Sequence, residues 1–345
     1  ALSPTAVASV FAAKGRPPSD PLIVHVPSFP LALPLIDPPA PALHAASALA
    51  AALWPGPLTL VCPASAAVPA AVTASTGWVG VRSPRHDLAQ RLLREAGVPI
   101  AAPSANRFGH VSPTTAQHVV EDLGGRGVRV LDGGDGGGEA GGSCSVGIES
   151  TVVKVDAERM VLAVLRLGGV AVEELRRVAP EGWTVAVAPR HRRADEDGGA
   201  GPAEGPAAAA AGEQAPGQHV THYAPDAPTY LVEALLAAAP AAPAPDVLSL
   251  SPDELAAAVV VDYGGALAAL GPRALAYRDL SPAGDASEAA RGLFAALREA
   301  EATEGVGTVL LAAAGEGDHS GLAPGVADRV FRAASGRRVR LLVPE

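Results

Sequence analysis

The polar residues best suited to chemistry lie in the stretch Pro99–Thr115. A short apolar run at 99–102 predicts a strand, and a polar loop with Ser104 and Asn106 follows it. Ser112-Pro113 then predicts a helix start, with serine as N-cap and proline at the first helical position. A helix N-terminus presents backbone N–H groups to anions. Asn106 is the only asparagine among 345 residues, so we expect its chemistry to matter.

A second candidate anion site is the turn Lys14-Gly-Arg16-Pro-Pro-Ser-Asp20-Pro, between a predicted helix and a predicted strand. Lys14 is one of only two lysines in a chain with 24 arginines. A lysine and an arginine on a rigid, proline-flanked turn suit a polyphosphate, because one acts as a point charge and the other as a fork. The alternative is a lysine that complements the dipole at a helix C-terminus.

Three more polar side chains lie at the ends of predicted strands. His25 closes the apolar run LIVHV, Arg82 ends WVGVR, and Ser150 precedes TVVKV. A lone strand histidine is more often a satisfied core residue than a catalyst. A buried arginine needs an anionic partner, which favours a functional role for Arg82. For Ser112, simple helix capping remains the alternative to anion binding.

Several familiar motifs are missing or incomplete. The glycine-rich segment 132–142 lacks the spacing of a P-loop and is interpreted as a mobile loop. His219-x-x-His222 has no further ligand nearby in the sequence, so it predicts no metal site. There is no G-x-S-x-G nucleophile elbow. The sequence therefore indicates neither a metal centre nor a covalent nucleophile.

Composition narrows the class of protein. The net charge is −10, and residues 1–150 carry 9 basic against 10 acidic side chains, which argues against a general nucleic-acid binder. Cys62 and Cys144 form no disulfide framework and fit a reducing compartment. No apolar run is long enough to predict a membrane span, and no signal-like segment opens the chain.

The order of predicted elements indicates two α/β domains. Several early strands lack an intervening helix, which favours a mixed sheet. The pattern also predicts a helix over 113–123, a strand over 128–131 and a flexible, low-complexity linker over 190–218. After the linker, strands and helices alternate again, as in a small Rossmann-like domain.

Six motifs in order resemble one family. They are Lys14-Gly-Arg-Pro…Asp20-Pro-Leu-Ile-Val-His25, Val79-Gly-Val-Arg82-Ser-Pro, Ala102-Pro-Ser-Ala-Asn106…Gly109…Ser112-Pro-Thr114, Gly147-Ile-Glu-Ser-Thr-Val153, Leu165-Arg-Leu-Gly168 and His222-Tyr-Ala-Pro225. Together they resemble the YrdC-type threonylcarbamoyl-AMP synthases in their long, two-domain form. The resemblance implies a YrdC-like catalytic domain at 1–178, with a twisted mixed sheet flanked by helices. It further implies a linker at 179–225 and a C-terminal Rossmann-like α/β domain at 226–345.

The resemblance also implies a pocket for ATP and L-threonine, with Lys14 and Arg16 as the catalytic cations. The positions that match the family's nucleotide site are Lys14, Arg16, Asp20, Ser104, Asn106, Ser112, Arg166 and the linker residue Tyr223. Those that match its threonine site are His25, Arg82, Ala102 and Ser150. The family commonly has asparagine at position 20, where an aspartate would repel phosphate unless it met Mg²⁺. It usually has threonine or a small residue at position 78, where this chain has tryptophan.

A further departure concerns the start of the chain. The family has a Pro-Thr-x-Thr-x-Tyr-Gly segment upstream of the first helix, and that segment contacts threonine. The sequence given begins after it, so we expect a sheet strand and one wall of the threonine site to be absent.

The implied reaction joins L-threonine, bicarbonate and ATP to give L-threonylcarbamoyl-AMP and pyrophosphate. Mg²⁺ would enter with ATP rather than on protein ligands, and no prosthetic group is implied. The product would serve the tRNA threonylcarbamoyl transferase machinery, which modifies the adenosine beside the anticodon, with at most weak RNA contact by this chain. The implied location is the cytoplasm, or an organelle in a eukaryote. The alternatives are a non-catalytic RNA-binding YrdC-like module and an inactive truncated fragment.

Overall fold

The computed structural model describes residues 1–133, 146–189, 220–238, 240 and 244–343. Contacts divide these residues into two units. The first contains the described residues within Ala1–Phe108, Thr115–Cys144 and Glu149–Gln218. The second contains those within Gly109–Thr114, Ser145–Ile148 and His219–Glu345, so two short segments from the first half of the chain belong to the second unit.

The first unit is built on a seven-stranded sheet. Its elements are α1 (Pro4–Lys14), β1 (Ile23–His25), α2 (Ala40–Leu53), β2 (Leu58–Pro63), β3 (Trp78–Arg82), α3 (Asp87–Ala96), β4 (Ile100–Ala101), α4 (Ala116–Leu123), β5 (Thr151–Asp156), β6 (Val161–Arg166), α5 (Val172–Val178) and β7 (Thr184–Val187). The strand order is β4-β1-β3-β2-β5-β6-β7, and parallel and antiparallel neighbours alternate along it. The predicted mixed sheet is confirmed.

The two faces of this sheet differ in character. One face is apolar and packs against α1, α2 and α5 through fully buried side chains such as Leu60, Val81 and Val153. Side chains alternate between faces along a strand, so Thr59 and Val152 point to the other side. Gly80 lies among them, and a Cβ there would come within 3.3 Å of the Thr59 methyl group. This second face therefore combines the polar Thr59 and the small Gly80 with an apolar cluster of Val61, Val152, Trp78 and Leu165.

The second unit is built on a parallel sheet. Its elements are β8 (Thr229–Leu236), β9 (Val247–Ser249), α6 (Pro252–Ala256), β10 (Ala258–Asp262), β11 (Ala276–Asp279), α7 (Ala286–Ala302), β12 (Thr308–Ala312), α8 (Ala323–Ala333) and β13 (Arg338–Leu342). The order β11-β10-β12-β8-β13-β9 is parallel throughout and has an apolar core on each face. The predicted Rossmann-like α/β domain is confirmed. Val111 and Ile148, from the two short segments, are buried in one of these cores.

Ser112 is not the helix N-cap that the sequence predicts. The helix starts at Ala116, three residues after the predicted start at Pro113. Thr115 Oγ1 caps it by accepting from the backbone N–H of His118 at 3.2 Å. Both residues have capping chemistry. The backbone at Gly109 and His110 pairs with Ala224, and residues 111–115 follow in neither helix nor strand before α4 begins. The N-terminus of α4 therefore lies beyond Ser112.

The predicted strand at 128–131 is also wrong. These residues form no strand, and the side chains of Val128, Val130 and Leu131 are exposed. Among the residues that the structure describes, no strand pairs with this run, so its β propensity has no effect there. The predicted linker at 190–218 and most of the glycine-rich segment lie outside the described residues. None of the helices that the structure describes is long and apolar enough to cross a bilayer.

Candidate active site

Lys14 is held at the C-terminus of α1 by a chain reversal. Gly15 has a φ of 66°, a left-handed conformation that glycine adopts readily and that ends the helix. The buried Lys14 ammonium group donates to the backbone carbonyls of Ser104 and Asn106, both at 2.5 Å. The Lys14 carbonyl in turn accepts from the N–H of Phe108. The structure thus joins the two candidate anion sites, which lie 90 residues apart in sequence.

The buried environment changes the acidity of Lys14. Burial, and then the nearby positive charge of Arg16, lower the pKa of Lys14 to about 7. The Lys14 side chain is therefore divided between its ammonium and its neutral amine form near neutral pH. A polyanion placed beside it would favour the protonated form.

Asn106 fixes the loop that receives Lys14. Its Oδ1 lies 3.5 Å from the lysine Nζ, and its Nδ2 donates to the carbonyl of Arg107 at 2.8 Å. The side chain is almost fully buried. An amide offers a donor and an acceptor at one position, and this loop uses both.

Arg16 and Asp20 form a buried ion pair. Arg16 Nη2 lies 2.8 Å from Asp20 Oδ1, and the guanidinium also donates to the carbonyls of Asp20 and Pro21. The negative charge expected to repel phosphate is therefore balanced by its neighbour on the same turn. The positive charge of Arg16 is therefore largely offset on the turn itself, by the carboxylate of Asp20.

Replacing Asp20 tests this pair. We expect Asp20→Ala to lower the free energy of unfolding by about 3 kcal/mol, because it leaves the buried Arg16 charge uncompensated. Asp20→Asn also removes the negative charge but keeps the shape and one acceptor oxygen for the guanidinium, so it should cost less than Asp20→Ala. Urea denaturation followed by circular dichroism measures both values. Equal stability of wild type and Asp20→Ala would mean that the pair contributes nothing.

His25 and Arg82 come together at one edge of the sheet. They are direct neighbours on the parallel strands β1 and β3, which places both side chains on the same face. Arg82 Nε donates to the carbonyl of Gly56 at 3.3 Å. Burial and the nearby Arg82 charge lower the pKa of His25 to about 4, so its imidazole is neutral at pH 7. The Ala102 N–H donates to the Ile23 carbonyl, which holds Ala102 beside β1.

Ser150 and Arg166 occupy the same edge of the sheet, on its β5–β6 side. Arg166 donates to the Ser150 carbonyl at 2.9 Å and to its hydroxyl at 3.1 Å. The Ser150 hydroxyl also lies 2.8 Å from that of Thr59. Thr59 is a site neighbour that the motifs do not include; its signal in the sequence is a polar residue inside the apolar strand LTLVCP. All three residues are buried.

Comparison with known proteins assigns the family. A protein-family model for the Sua5, YciO and YrdC proteins, described as telomere recombination, matches residues 1–168. A second, described as threonylcarbamoyl-AMP synthase, C-terminal domain, matches residues 170–335. A threonylcarbamoyl-AMP synthase of Pyrococcus abyssi is 35% identical over 341 residues, or 98% of this chain and 87% of that protein. The chain belongs to the threonylcarbamoyl-AMP synthases.

Other members of the synthase family agree with this assignment. A Bacillus subtilis threonylcarbamoyl-AMP synthase is 39% identical over 229 residues, which cover 66% of this chain and 57% of that protein. The crystal structure of P. abyssi Sua5 complexed with L-threonine superposes with a TM-score of 0.74 at 31% identity. That superposition covers 99% of this chain and 87% of the other.

Two predicted nucleotide-site residues of this synthase belong to the second unit. Ser112 is buried, and it follows Val111 in the segment Gly109–Thr114 of the second unit. Tyr223 is fully buried and has a φ of 63°; its ring packs against Phe294, with 5.2 Å between ring centroids. Their roles toward the nucleotide stay predictions.

Trp78, the other departure from the family pattern, has a cationic partner. The Lys154 ammonium lies 4.0 Å from the centroid of the Trp78 ring, within the range of a cation–π interaction. The two residues lie on β3 and β5, on either side of β2. Lys154 is the second of the chain's two lysines.

Proposed function

We propose that this chain is an L-threonylcarbamoyladenylate synthase that converts L-threonine, bicarbonate and ATP into L-threonylcarbamoyl-AMP and pyrophosphate. The observation that carries the proposal is the buried contact of Lys14 with the loop at Ser104 and Asn106, in a member of the synthase family. It brings a point charge to a loop that follows a strand end, an arrangement suited to a polyphosphate.

Lys14 and Arg16 are the proposed catalytic cations toward ATP. The Arg16–Asp20 pair is close to neutral, so Lys14 is the main cation for the charge that develops on the phosphates. Asn106 and Ser104 shape the loop, and Arg166 is the further proposed nucleotide-site residue of the first unit. Ser112 stays a predicted nucleotide contact from the family resemblance alone. Mg²⁺ bound to the phosphates of ATP would supply further positive charge.

The proposed threonine site is the sheet edge with His25, Arg82, Ala102 and Ser150. Arg82 suits the carboxylate of an amino acid, because a guanidinium donates two parallel hydrogen bonds to it. The neutral His25 imidazole can hydrogen-bond threonine without adding a charge. Ala102 leaves space beside β1, and the Ser150 hydroxyl is held in place by Thr59 and Arg166. A relative's crystal structure is described as complexed with L-threonine.

The proposed reaction needs no covalent intermediate with the protein. The threonine amino group attacks bicarbonate and, with loss of water, gives N-carboxy-threonine. One oxygen of this carbamate attacks the α-phosphorus of ATP as the bond to the β-phosphate breaks, and pyrophosphate leaves. The carbamate decomposes in water, so the protein's task is to hold the reactants in line and exclude solvent. The product would then serve the tRNA threonylcarbamoyl transferase machinery.

Incubation with the three substrates tests this function. Carbon-labelled bicarbonate should appear in L-threonylcarbamoyl-AMP only when threonine and ATP are both present, and labelled pyrophosphate should exchange into ATP under the same conditions. Omission of threonine is the control for simple ATP hydrolysis. If neither label is incorporated by folded protein that includes any upstream coding sequence, the proposal fails.

The acidity of Lys14 leads to a pH prediction. The Lys14 pKa of about 7 means that the free protein has mostly lost this proton near pH 8, whereas bound ATP stabilises the charged form. Binding should therefore take up close to one proton per ATP near pH 8 and progressively fewer below pH 7. Calorimetry in buffers of different ionisation enthalpy measures the number. A Lys14→Met variant should take up none, and equal uptake by both proteins would contradict the assignment.

A further inference from the structure

Three potential metal ligands meet within the second unit. They are His110, which follows Gly109 in the short segment, Asp226, which follows the His222–Pro225 motif, and Glu301, in the last turn of α7. One ligand atom from each lies within 4.8 Å of the other two. The sequence alone could not reveal this group, because its members lie far apart along the chain.

Backbone hydrogen bonds hold the three residues in place independently of any ligand. His110 forms a bridge with Ala224, and the Ala224 N–H donates to the Gly109 carbonyl at 3.1 Å. The Asp226 N–H donates to Glu301 Oε1 at 2.6 Å, which orients that carboxylate. His110 thus sits on bridged backbone, Asp226 is held by its N–H bond to the Glu301 carboxylate, and Glu301 sits on a helix.

The segment at 109–114 has a further anchor on α7. The guanidinium of the buried Arg298 donates to the carbonyl of Val111. Arg298 and Glu301 are three residues apart and therefore lie on the same face of the helix. The cluster is in this way preorganised, which lowers the entropic cost of binding a ligand there.

The spacing of the atoms suits a small cation. His110 Nε2 lies 2.8 Å from Glu301 Oε2. Two ligands bonded to one metal ion at about 2.1 Å lie about 3.0 to 3.4 Å apart, so an opening of a few tenths of an ångström admits the ion. The ion would take the place of the hydrogen in the His110–Glu301 hydrogen bond, and His110 would bind it as the neutral imidazole.

Charge and ligand type point to a class of ion. An imidazole with two carboxylates suits Zn²⁺, Co²⁺ or Mn²⁺ better than Mg²⁺, which prefers oxygen ligands alone. Neighbouring carboxylates repel each other, and a divalent cation removes that repulsion. His110 is buried, Glu301 is partly buried and Asp226 is exposed, so the site has an entry from solvent and space for water ligands.

We propose that His110, Asp226 and Glu301 form a binding site for one divalent transition-metal ion, which connects the segment at 109–114 and the first residue after the linker to α7. The ion has a structural role and takes no part in the proposed reaction. It joins three parts of the chain that are distant in sequence, so it stabilises the second unit and restrains the segment that continues into Ser112.

Metal titration of the full chain tests this site without any activity measurement. Protein stripped with a chelator is titrated with Zn²⁺, and with Co²⁺ followed by its visible absorption, while Mg²⁺ serves as the control ion. We expect one equivalent of Zn²⁺ or Co²⁺ to bind and to raise the melting temperature. Asp226→Asn, an exposed change, should weaken binding by about 100-fold or more, and His110→Gln should do the same.

Matched variants separate this site from unspecific binding. His44→Gln and Asp253→Asn alter exposed residues of the same types elsewhere and should leave the affinity unchanged. If no stoichiometric Zn²⁺ or Co²⁺ binds, or if Asp226→Asn binds like wild type, the cluster is only a His110–Glu301 ion pair and the proposal is overturned. Because binding and melting temperature are measured without substrates, a failure of the proposed synthase activity would leave both results unchanged.

Discussion

Lys14→Met should reduce threonine-dependent pyrophosphate exchange by about 10²- to 10³-fold, the usual effect of removing one preorganised donor to a developing negative charge. Methionine keeps the length and apolar stem of the side chain, so the buried space stays filled. What is lost is the charge that Ser104 and Asn106 hold in position. Initial rates at saturating ATP and threonine measure the effect.

Two controls separate this loss from misfolding. Lys14→Met should retain the far-ultraviolet circular dichroism spectrum of wild type. Arg159→Met removes an exposed cation, with 81% of the side chain accessible, and should leave the exchange rate unchanged. Wild-type activity in Lys14→Met would remove Lys14 from the proposed site.

Arg82→Gln should raise the KM for threonine by about 100-fold with a much smaller change in kcat, because a charge-assisted pair with a carboxylate is lost. The guanidinium lies beside the neutral His25, at the shared edge of β1 and β3. Steady-state rates at varied threonine and saturating ATP separate the two parameters.

A substrate analogue makes the Arg82 test specific. Threoninol lacks the carboxylate, so wild type should use it far less well than threonine, whereas Arg82→Gln should discriminate little between the two. Arg85→Gln, an exposed change three residues along, should behave like wild type. Unchanged discrimination in Arg82→Gln would show that another group binds the carboxylate.

Local signals in the sequence predicted the order of elements because they reflect the backbone directly. Gly15 ends α1 where the sequence indicated, and the apolar runs around β1, β2, β3 and β5 all form strands. The mixed character of the first sheet was also predicted, from strands without intervening helices. Short elements such as α6 and β9 carry too few residues for a periodic signal.

The errors arose where tertiary contacts choose between equivalent local options. Ser112 and Thr115 are both good N-caps, and the folded chain uses Thr115, in a stretch whose preceding residues pair with Ala224 rather than with α4. The run at 128–131 has β-forming residues but pairs with no strand in the part of the chain that the structure describes. No local pattern indicates such outcomes.

The sequence indicated individual residues of the candidate site, but it did not predict which of their charges pair with each other. The sequence indicated Lys14, Asn106 and Arg82 from residue type alone. It suggested that Asp20 would repel phosphate, whereas the structure pairs this carboxylate with Arg16 on the same buried turn. Which groups neutralise each other depends on distances of a few ångströms, and these follow only from the folded chain.

The short segments that cross into the second unit limit how this chain could have been assembled or divided in evolution. Val111 and Ile148 are at most 3% exposed, and both lie in a core formed mainly by residues after 220. A gene split within the linker would leave the C-terminal product without these two side chains, each worth about 1.5 to 3 kcal/mol when fully buried. The halves are therefore poor candidates for exchange as independent modules, and a viable split would have to carry a copy of both segments with the second half.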